Sequence, residues 1–339
     1  MADPDHPPLE LGYFLSSEEH PPSALVAHAV AAREAGFRTA MISDHMRPWV
    51  PAQGNAPFVW GVLGAIAQAA PGLEVGTGVS SAVHRIHPVL LAQAAATASL
   101  LLDGRFFLGL GTGERLNEQV TGERWPRAGE RRKALEEVLP LVRRLLEGKT
   151  VDHRGPHVNI ERARIDSLPA SVPPILVAAG GKRTAQTAGE LADGLIGVVP
   201  DPSTIEAFLA AGGEGKPRFT QLKLCWAARD EEAVATVRRW FPTEGLPSQL
   251  LSELATPEEF AAAAELVPDD RLADAVVCGP DPEPVADAVR RRVAAGYTRI
   301  YLHQVGPDQA GFLRFLRSDL LPLLDADLSA VPLASGRAG

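Results

Sequence analysis

The feature that most constrains the fold of this chain is an alternation, repeated eight times, of short apolar segments with longer segments of helical pattern. The apolar segments predict strands at 11–14, 39–43, 73–79, 105–110, 175–178, 195–199, 221–226 and 299–303. The other segments predict helices at 23–35 (with Ser23 as N-cap), 58–70, 88–102, 130–147, 184–191, 203–211, 230–240 and 309–323. Strands that are apolar along their whole length are typical of a parallel sheet covered on both faces. Eight such units favour a single (β/α)8 TIM-barrel domain over residues 1–339, and the alternative is a doubly wound sheet.

Three segments are longer than a simple connection between a strand and a helix, namely 44–57, 149–174 and 242–281. Loops that follow barrel strands usually carry the functional groups of such folds. We therefore expect these insertions at the carboxyl-terminal face of the barrel, where they would build the site.

The charge balance favours a small-molecule ligand over a polyanionic partner. The chain has 33 basic and 42 acidic residues, a formal net charge of −9, so neither nucleic acid nor an anionic membrane is expected as its main partner. Residues 1–10 lack the pattern of a signal peptide, and the apolar run 88–102 is too short to cross a bilayer. Two distant cysteines without a Cys/His cluster predict a reduced, cytoplasmic protein with no metal site.

The first group that could carry chemistry is the segment 43–49, Ser-Asp-His-Met-Arg-Pro-Trp, which follows the second predicted strand. His45 can act as a base or an acid near neutral pH, and Trp49 offers a flat apolar wall. Asp44 points to another side of the extended chain and need not orient His45. The alternative is a satisfied surface histidine beside a loop tryptophan.

A glycine-rich segment, 109–118, follows the fourth predicted strand and reads GLGTGERLNE. It does not match the dinucleotide-binding fingerprint, but its glycines would let a ligand ring approach the backbone closely. Glu114 and Asn117 lie about one helical turn apart, so both could face one ligand. Glu114 and Glu118 could instead be acids that favour the start of a helix.

A second glycine-rich segment, 178–184, follows the fifth predicted strand and reads AAGGKRT. The N–H groups of Gly180 and Gly181, the start of a helix, and the cations of Lys182 and Arg183 suit an anion such as phosphate. An ordinary turn with two solvated cations explains the same pattern equally well.

His303 is a second histidine at the end of a predicted strand, in the segment 302–309. It could bind substrate, or it could cap the final helix from the side. The residues around it leave both alternatives open.

Together these segments resemble the luciferase-like barrel superfamily, and within it the oxidoreductases of the glucose-6-phosphate dehydrogenase type that depend on the deazaflavin coenzyme F420. The likeness runs from Leu11 to Leu320. Its most specific matches are 43–45 with 48–49, 76–79, 111–114 with 116–118, 178–181, 192–194, and His303 with 308–309. A smaller group within this branch looks closer still, through 15–20 and 303–309.

The resemblance implies a (β/α)8 barrel that transfers a hydride to or from F420. His45 matches the catalytic base of the family, Glu114 its companion acid, and Trp49 the tryptophan beside the reactive centre. The coenzyme-binding residues implied in the same way are Asp44, Gly78, Val79, Thr112, Gly113, Asn117, Ala179, Gly180, Gly181 and Lys182, with a non-proline cis peptide between Gly78 and Val79. Trp49 and His303 are the implied substrate-binding residues.

The likeness is weakest at the substrate end. The sugar-phosphate enzymes have threonine and lysine after strand six, where this chain has Val-Val-Pro-Asp-Pro at 198–202, and a second family lysine falls among the alanines of 261–264. A phosphate clamp that lacks these cations and gains Asp201 is a poor one. We therefore expect poor turnover of glucose 6-phosphate and a preference for a less anionic alcohol, carbonyl compound or activated double bond.

Two other functions stay as alternatives. One is a monooxygenase of the same superfamily that depends on flavin mononucleotide (FMN), against which the pattern of 43–49 argues. The other is a non-catalytic protein that binds a flavin or deazaflavin. Intact His45 and Glu114 argue against this second alternative, because storage needs neither.

The helix 88–102 is apolar nearly all round, so we expect both of its faces to be covered. One face suits the barrel. The other could meet a second copy of the chain, as in the homodimers of the related family, or it could lie under the chain's own loops.

Overall fold

The structure, a computed structural model, describes residues 9–197 and 199–328. Residues 1–8, which bear on the expectation about a signal peptide, and Val198, in the predicted substrate segment, lie outside the described residues. In chain order the strands are β1 (Glu10–Leu15), β2 (Thr39–Ile42), β3 (Glu74–Thr77), β4 (Ser80–Ser81), β5 (Phe106–Gly111), β6 (Val151–Arg154), β7 (Asn159–Ala163), β8 (Ile175–Ala179), β9 (Gly194–Gly197), β10 (Arg218–Cys225), β11 (Val277–Cys278) and β12 (Arg299–Gln304). The helices are α1 (Pro22–Glu34), α2 (Val59–Ala69), α3 (Pro88–Leu101), α4 (Arg115–Glu118), α5 (Ala128–Leu146), α6 (Lys182–Leu191), α7 (Pro202–Phe208), α8 (Asp230–Trp240), α9 (Ser248–Glu253), α10 (Pro257–Ala264), α11 (Asp269–Ala275), α12 (Pro282–Ala294), α13 (Gln309–Phe315) and α14 (Leu321–Leu328).

Eight of these strands form one closed, parallel barrel. Each pairs with the next in the order β1, β2, β3, β5, β8, β9, β10 and β12, and β12 pairs back with β1. The register at this last seam runs from Glu10 opposite Arg299 to Tyr13 opposite Leu302. Closure confirms the predicted (β/α)8 barrel and excludes the doubly wound alternative, whose sheet has two open edges.

The barrel interior and the layer between strands and helices form separate apolar cores. The side chains that fill the interior are Phe14, Met41, Phe107, Leu176, Ile196, Phe219 and Tyr301. The larger outer core packs the remaining strand residues against α1, α2, α3, α5, α6 and α12. Burial on both faces is the reason that the strands are apolar throughout. Because the interior is filled, a ligand has to bind at the carboxyl-terminal mouth of the barrel.

Two of the three insertions lie over that mouth, as predicted. The segment 44–57 follows β2 directly, and the segment 242–281 packs onto it through Trp49 and Phe260, whose ring centroids are 5.2 Å apart. We call 242–281 the roof segment. It contains α9, α10 and α11 and lies between α8 and α12.

The third insertion, 149–174, begins and ends away from the carboxyl-terminal face, and this part of the prediction is wrong; only its hairpin reaches the residues before α3, where the Asn159 carbonyl oxygen lies 3.3 Å from His87 Nε2. The segment joins the end of α5 to the start of β8, so both of its ends lie at the amino-terminal end of the barrel. It contains the antiparallel hairpin of β6 and β7, which contacts α5 through His153 Nε2 and Glu137 Oε1, 2.8 Å apart. The physical reason lies in the element that each insertion joins: 149–174 leads into the start of β8, whereas the roof segment contains β11, which pairs with the carboxyl end of β10.

The start of α1 differs from the prediction, and α12 is a helix that the sequence predictions lack. Helix α1 begins at Pro22 with Pro21 as its N-cap, so Ser23 is not the cap. Proline suits the first position of a helix because its missing N–H is not needed there. Helix α12 is absent from the predicted helices because its first turn contains two prolines, which are typical of loops. The Asp281 side chain caps this helix by accepting the N–H of Glu283 at 3.0 Å.

Helix α3 covers the barrel with one face and leaves the other exposed. Leu90, Leu100 and Leu101 are 59, 43 and 43 % exposed, and Phe58, which precedes the neighbouring α2, is 66 % exposed. Within residues 9–197 and 199–328, no loop of the chain covers this face, which argues against burial under its own loops as the explanation of the apolar pattern. Among residues 9–197 and 199–328, no helix is both long and apolar enough to cross a membrane.

Candidate active site

His45 lies just beyond β2, at the carboxyl-terminal mouth, and its side chain is only 10 % exposed. Its loop is held by Asn117, whose Oδ1 accepts the backbone N–H groups of Met46 (2.9 Å) and Arg47 (3.2 Å). The ring centroid of His45 lies 4.9 Å from that of Trp49. These contacts bring three of the predicted site residues together and exclude the alternative of a surface histidine.

The Nδ1 atom of His45 has a partner in either protonation state. Because Asn117 Oδ1 accepts two N–H groups, Asn117 Nδ2 is fixed as a donor, and it lies 3.1 Å from Nδ1. The Arg47 carbonyl oxygen lies 3.2 Å from the same nitrogen and accepts a proton carried there. A ring nitrogen with both a donor and an acceptor beside it can gain and lose a proton without leaving either state unsatisfied.

Two glutamates face the other ring nitrogen. His45 Nε2 lies 3.3 Å from Glu18 Oε1 and 3.6 Å from Glu114 Oε2. Burial raises the pKa of Glu18, but the charge of His45 and the hydroxyl of Ser43 outweigh it, so this pKa lies below its ordinary value. Burial raises the pKa of Glu114, and here the nearby His45 does not compensate. The site therefore combines a carboxylate that stays ionised with a carboxyl group that takes up a proton more readily.

Asp44 points away from His45, as predicted, into a buried ion cluster. Its Oδ1 accepts a hydrogen bond from Arg85 Nη2 at 2.8 Å, and its Oδ2 accepts one from Ser80 Oγ. The backbone N–H of Arg85 also donates to Glu118 Oε2 at 2.8 Å. Burial raises the pKa of Glu118 to about 7. The cluster ties β2, the segment after β3 and α4 together, so Glu118 is more than an acid at a helix start.

Glycines form one wall of the mouth, at the ends of β3 and β5. The Gly78–Val79 peptide is cis, as the resemblance implies. A Cβ atom on Gly109 would lie 2.0 Å from the Thr77 carbonyl oxygen, and one on Gly111 would lie 2.7 Å from Val79 Cγ2. Only glycine fits these two positions, because the end of β3 and the side chain of Val79 pack directly against β5 there. Gly78 and Val79 are themselves half-buried, so this segment is the part of the wall that faces the mouth.

The same wall continues into the turn before α4. Thr112 is half-buried there, and Gly113 has a φ of +77°, in the left-handed region that favours glycine. This turn places Glu114 at the N-cap position of α4, from which its side chain reaches toward His45. Asn117 Nδ2 donates to Glu114 Oε2 at 3.1 Å, so the two residues contact each other as well as His45.

A second pair of glycines precedes α6. Ala179 is the buried last residue of β8, and Cβ atoms on Gly180 or Gly181 would meet no other atom within 4 Å. The first turn of α6 has no side-chain cap, and Lys182 is its first residue. Open space, free N–H groups and a cation fit a phosphate group. The two glycine-lined surfaces together fit the deazaflavin coenzyme that the resemblance implies.

His303 lies in β12 but is buried, with 1 % of its side chain exposed. Gln221 Nε2 donates to its Nδ1 at 2.8 Å, and its Nε2 lies 2.7 Å from Glu19 Oε2. Phe14 stacks on the ring with centroids 4.8 Å apart. The N-cap of α13 is Asp308, so His303 does not cap the final helix. Both ring nitrogens have partners inside the protein, and neither is free for a substrate.

Asp201, after β9, is the N-cap of α7. Its carboxylate accepts the hydroxyl groups of Ser203 (2.8 Å) and Thr204 (2.9 Å) and the backbone N–H of Ser203 (3.0 Å). These hydrogen bonds, that of the Ser203 hydroxyl foremost, lower the pKa of Asp201. The residue therefore stays ionised near the expected substrate segment, but the hydrogen bonds of its carboxylate all cap the first turn of α7.

Three features of the site are absent from the sequence predictions: Glu18, Arg85, and a contact of 2.6 Å between Lys223 Nζ and Glu244 Oε1. Glu18 has a usable signal, because it follows the end of a barrel strand as His45 and Glu114 do. No comparable signal marks Arg85. Lys223 and Glu244 meet only because the roof segment folds back onto β10, and spacing along the chain does not show this.

The family model described as Luciferase-like monooxygenase matches residues 9–299. The chain is 35 % identical over 338 residues to the F420-dependent glucose-6-phosphate dehydrogenase of Kineococcus radiotolerans, a match that covers 96 % of this chain and 99 % of that protein. It is 32 % identical over 330 residues to the enzyme of the same name from Segniliparus rotundus, covering 94 % of this chain and 98 % of that one.

Solved structures show the same relation. An F420-dependent secondary alcohol dehydrogenase in complex with an F420–acetone adduct superposes with a TM-score of 0.86 at 26 % identity, covering 94 % of this chain and 99 % of that one. The F420-dependent tetrahydromethanopterin reductase of Methanopyrus kandleri superposes with a TM-score of 0.75 at 22 % identity, covering 94 % and 99 %, and shows a shared fold. The chain therefore belongs to the luciferase-like monooxygenase family, in the branch of the F420-dependent glucose-6-phosphate dehydrogenases, as its residues predict.

Proposed function

We propose that this chain is an oxidoreductase that transfers a hydride between coenzyme F420 and a small organic substrate, with His45 as the base. The contacts of His45 carry the proposal, because Nδ1 has both a donor and an acceptor and Nε2 faces two glutamates of opposite pKa shift. The relatives named as F420-dependent dehydrogenases support the choice of coenzyme. The unpaired Cys225 and Cys278 favour a reducing compartment, and a cytoplasmic location belongs to the same proposal.

The glycine-lined surfaces would hold the coenzyme. Gly78 and Val79 would lie against its ring, and Gly180, Gly181 and Lys182 would hold its phosphate group. When bound, F420 supplies a ring carbon that accepts or gives a hydride. A fixed wall on one side and His45 on the other would orient the substrate for this transfer.

The protein itself takes part by accepting and returning a proton. When His45 carries its proton on Nδ1, it donates to the Arg47 carbonyl oxygen and leaves a lone pair on Nε2. Nε2 then takes the hydroxyl proton of an alcohol as the hydride leaves. The ionised Glu18, 3.3 Å away, stabilises the positive ring. Glu114, with its raised pKa, holds or returns a proton when the reaction runs toward reduction.

A titration of the pure protein with F420 and, separately, with FMN tests the proposal. We expect micromolar or tighter binding of F420, followed by its fluorescence, and much weaker binding of FMN. Tight FMN binding without F420 binding would support the monooxygenase alternative. F420 binding without turnover of any alcohol or carbonyl compound would support the storage alternative.

We also propose that two copies of the chain pair through the exposed face of α2 and α3. Phe58, Leu90, Leu100 and Leu101 are exposed there, and large apolar side chains grouped on one face are typical of an interface. The mass in solution at micromolar concentration is expected to be that of a dimer, and Leu101→Glu is expected to give a monomer. Leu266→Glu, at a leucine that is 86 % exposed in the roof segment, is the matched control and should stay dimeric. A monomeric wild type would refute this pairing.

A further inference from the structure

Lys223 is a cation in the wall of the mouth. It lies in β10, and its Nζ donates to Glu244 Oε1 at 2.6 Å. Glu244 belongs to the short turn Pro242–Gly245, where the roof segment begins. Both side chains are about one-fifth exposed, 20 % for Lys223 and 21 % for Glu244, so the pair is sheltered but can still be reached by a small molecule.

This pair lies beside the group that would react. Lys223 Nζ is 5.0 Å from the ring centroid of Phe241, and Trp49 packs against the same apolar cluster as Phe241. The charge of Lys223 also opposes the rise in the pKa of Glu114, which shows that the two side chains interact through space. Glu114 in turn lies 3.6 Å from His45. Trp49 itself lies 4.9 Å from His45 between ring centroids, so the apolar cluster that contacts Lys223 also borders His45. A substrate held at His45 would therefore present its other end to Lys223 and Glu244.

The charges of this wall decide what that other end can be. Glu18, Glu114 and Glu244 supply three carboxyl groups, and Lys223 is already neutralised by a direct contact. An anionic substrate would have to compete with Glu244 for the ammonium group and would face the remaining carboxylates. An uncharged polar group meets no such barrier. It can accept a hydrogen bond from Lys223 and donate one to Glu244.

We propose that Glu244 determines the charge of the substrate: by neutralising Lys223, it makes the mouth select a compound whose far end is polar and uncharged, such as a hydroxyl or carboxamide group. This inference rests on the proposed function, because it needs His45 to hold the reacting end. An ion pair with a purely structural role would support the roof segment and have no influence on which substrates react.

The test compares glucose with glucose 6-phosphate, which differ only in one phosphate group. In Glu244→Gln, the ratio of kcat/KM for glucose 6-phosphate to that for glucose is expected to rise at least about tenfold, because the amide frees the ammonium group for the phosphate. Glu232→Gln is the matched control, since it removes one charge from an ion pair with Arg229 on the outer surface. An unchanged ratio in Glu244→Gln, or an equal rise in the control, overturns the proposal.

Titration with inorganic phosphate decides the question if neither sugar reacts. With F420 bound, the Kd for phosphate is expected to be at least about tenfold lower in Glu244→Gln than in the wild type. Adding Lys223→Met to Glu244→Gln should remove this gain. Equal phosphate affinity in the wild type and Glu244→Gln overturns the proposal.

F420 fluorescence distinguishes a failure of the role given to Glu244 from a failure of the proposed function. Normal F420 binding with unchanged phosphate affinity contradicts only the role of Glu244. Absence of F420 binding in the wild type contradicts the proposed function, and the phosphate titration can still be made on the coenzyme-free protein.

Discussion

Two histidines, His45 and His303, end up in opposite environments although both lie at the carboxyl-terminal ends of barrel strands. At His45, Nε2 has carboxylate oxygens only at 3.3 and 3.6 Å, and 10 % of the side chain is exposed. At His303, Nε2 lies 2.7 Å from Glu19, Gln221 lies 2.8 Å from Nδ1, and 1 % of the side chain is exposed.

With His45 as the proposed base, the difference teaches that the partners of a histidine, and not its position at a strand end, decide whether it can react or only supports the fold. The loose contacts of His45 leave room for a proton to arrive and depart. The two short hydrogen bonds of His303 fix one tautomer and contribute to stability instead.

The largest expected effect is that of His45→Ala. Turnover should fall by roughly a hundredfold to ten-thousandfold, the range for a general base, while F420 binding and the melting temperature change little. Steady-state rates, F420 fluorescence and thermal unfolding together check this outcome. Turnover equal to that of the wild type with F420 bound would remove His45 from the chemistry.

For His303→Ala we expect a loss of stability with little change in turnover. The change leaves buried Glu19 with the backbone N–H of Gly306 but without its charge-carrying partner, which should cost about 3 kcal/mol of unfolding free energy. Turnover per folded molecule should stay close to that of the wild type. Urea unfolding measures the first quantity, and rates corrected for the folded fraction measure the second. A loss of rate without a loss of stability would give His303 a role in the reaction.

Asn117→Asp tests whether the hydrogen-bond donor between His45 and Glu114 is needed for turnover. The new carboxylate keeps the acceptor for Met46 and Arg47, but it places an oxygen where the amide now donates to Glu114 at 3.1 Å. Turnover should fall by about tenfold to a hundredfold, since the donor that fixes His45 and Glu114 is lost. Asn159→Asp, at an exposed side chain of the β6–β7 hairpin, is the control for added charge. Equal rates in the two variants would show that Asn117 only supports the loop.

The smallest expected effect is a dependence of the free energy of unfolding on pH, which comes from His28. His28, beside His20, has its pKa lowered from 6.5 to about 4, by burial first and by the charge of His20 second. Between these values the unfolded chain binds a proton that the folded chain does not, so stability falls as the pH drops from about 6.5 and levels off below about 4.

Urea unfolding at pH 7 and pH 5 measures this effect. The wild type should lose about 1 kcal/mol more than His28→Gln between the two values. The exposed His157, changed to Gln, is the control and should behave as the wild type does. The same loss in His28→Gln as in the wild type would place the acid sensitivity elsewhere.

The barrel and half of the site could be predicted from the sequence because both follow from local patterns. Apolar strands at regular spacing predict the closed sheet, and parallel strands bring the residues that follow them to one end. This is why His45, Glu114 and Asn117 meet as expected. Gly109 and Gly111 likewise predict a close approach to the backbone. In the structure it is Thr77 and Val79 that approach there, and the approach of a ligand ring stays a prediction.

The other features of the site depend on contacts between residues far apart in the sequence, which spacing along the chain does not show. His303 looks like a site residue until Glu19 and Gln221, from two other elements, occupy both of its nitrogens. Lys223 looks like a solvated strand residue until the roof segment brings Glu244 to it. The two ends of the 149–174 segment lie opposite to the expected face, because the length of a loop does not show which end of the barrel it joins.

The roof segment, 242–281, has a consequence for how this lineage can diversify. It is one uninterrupted stretch, and it supplies Glu244 and Phe260, whereas His45, Glu18 and Glu114 come from loops after three other strands. With the function proposed above, mutation, insertion or exchange of that stretch would change which molecules are admitted without altering His45, Glu18 or Glu114. We expect chains of this family that use other substrates to differ first in this stretch and last at His45.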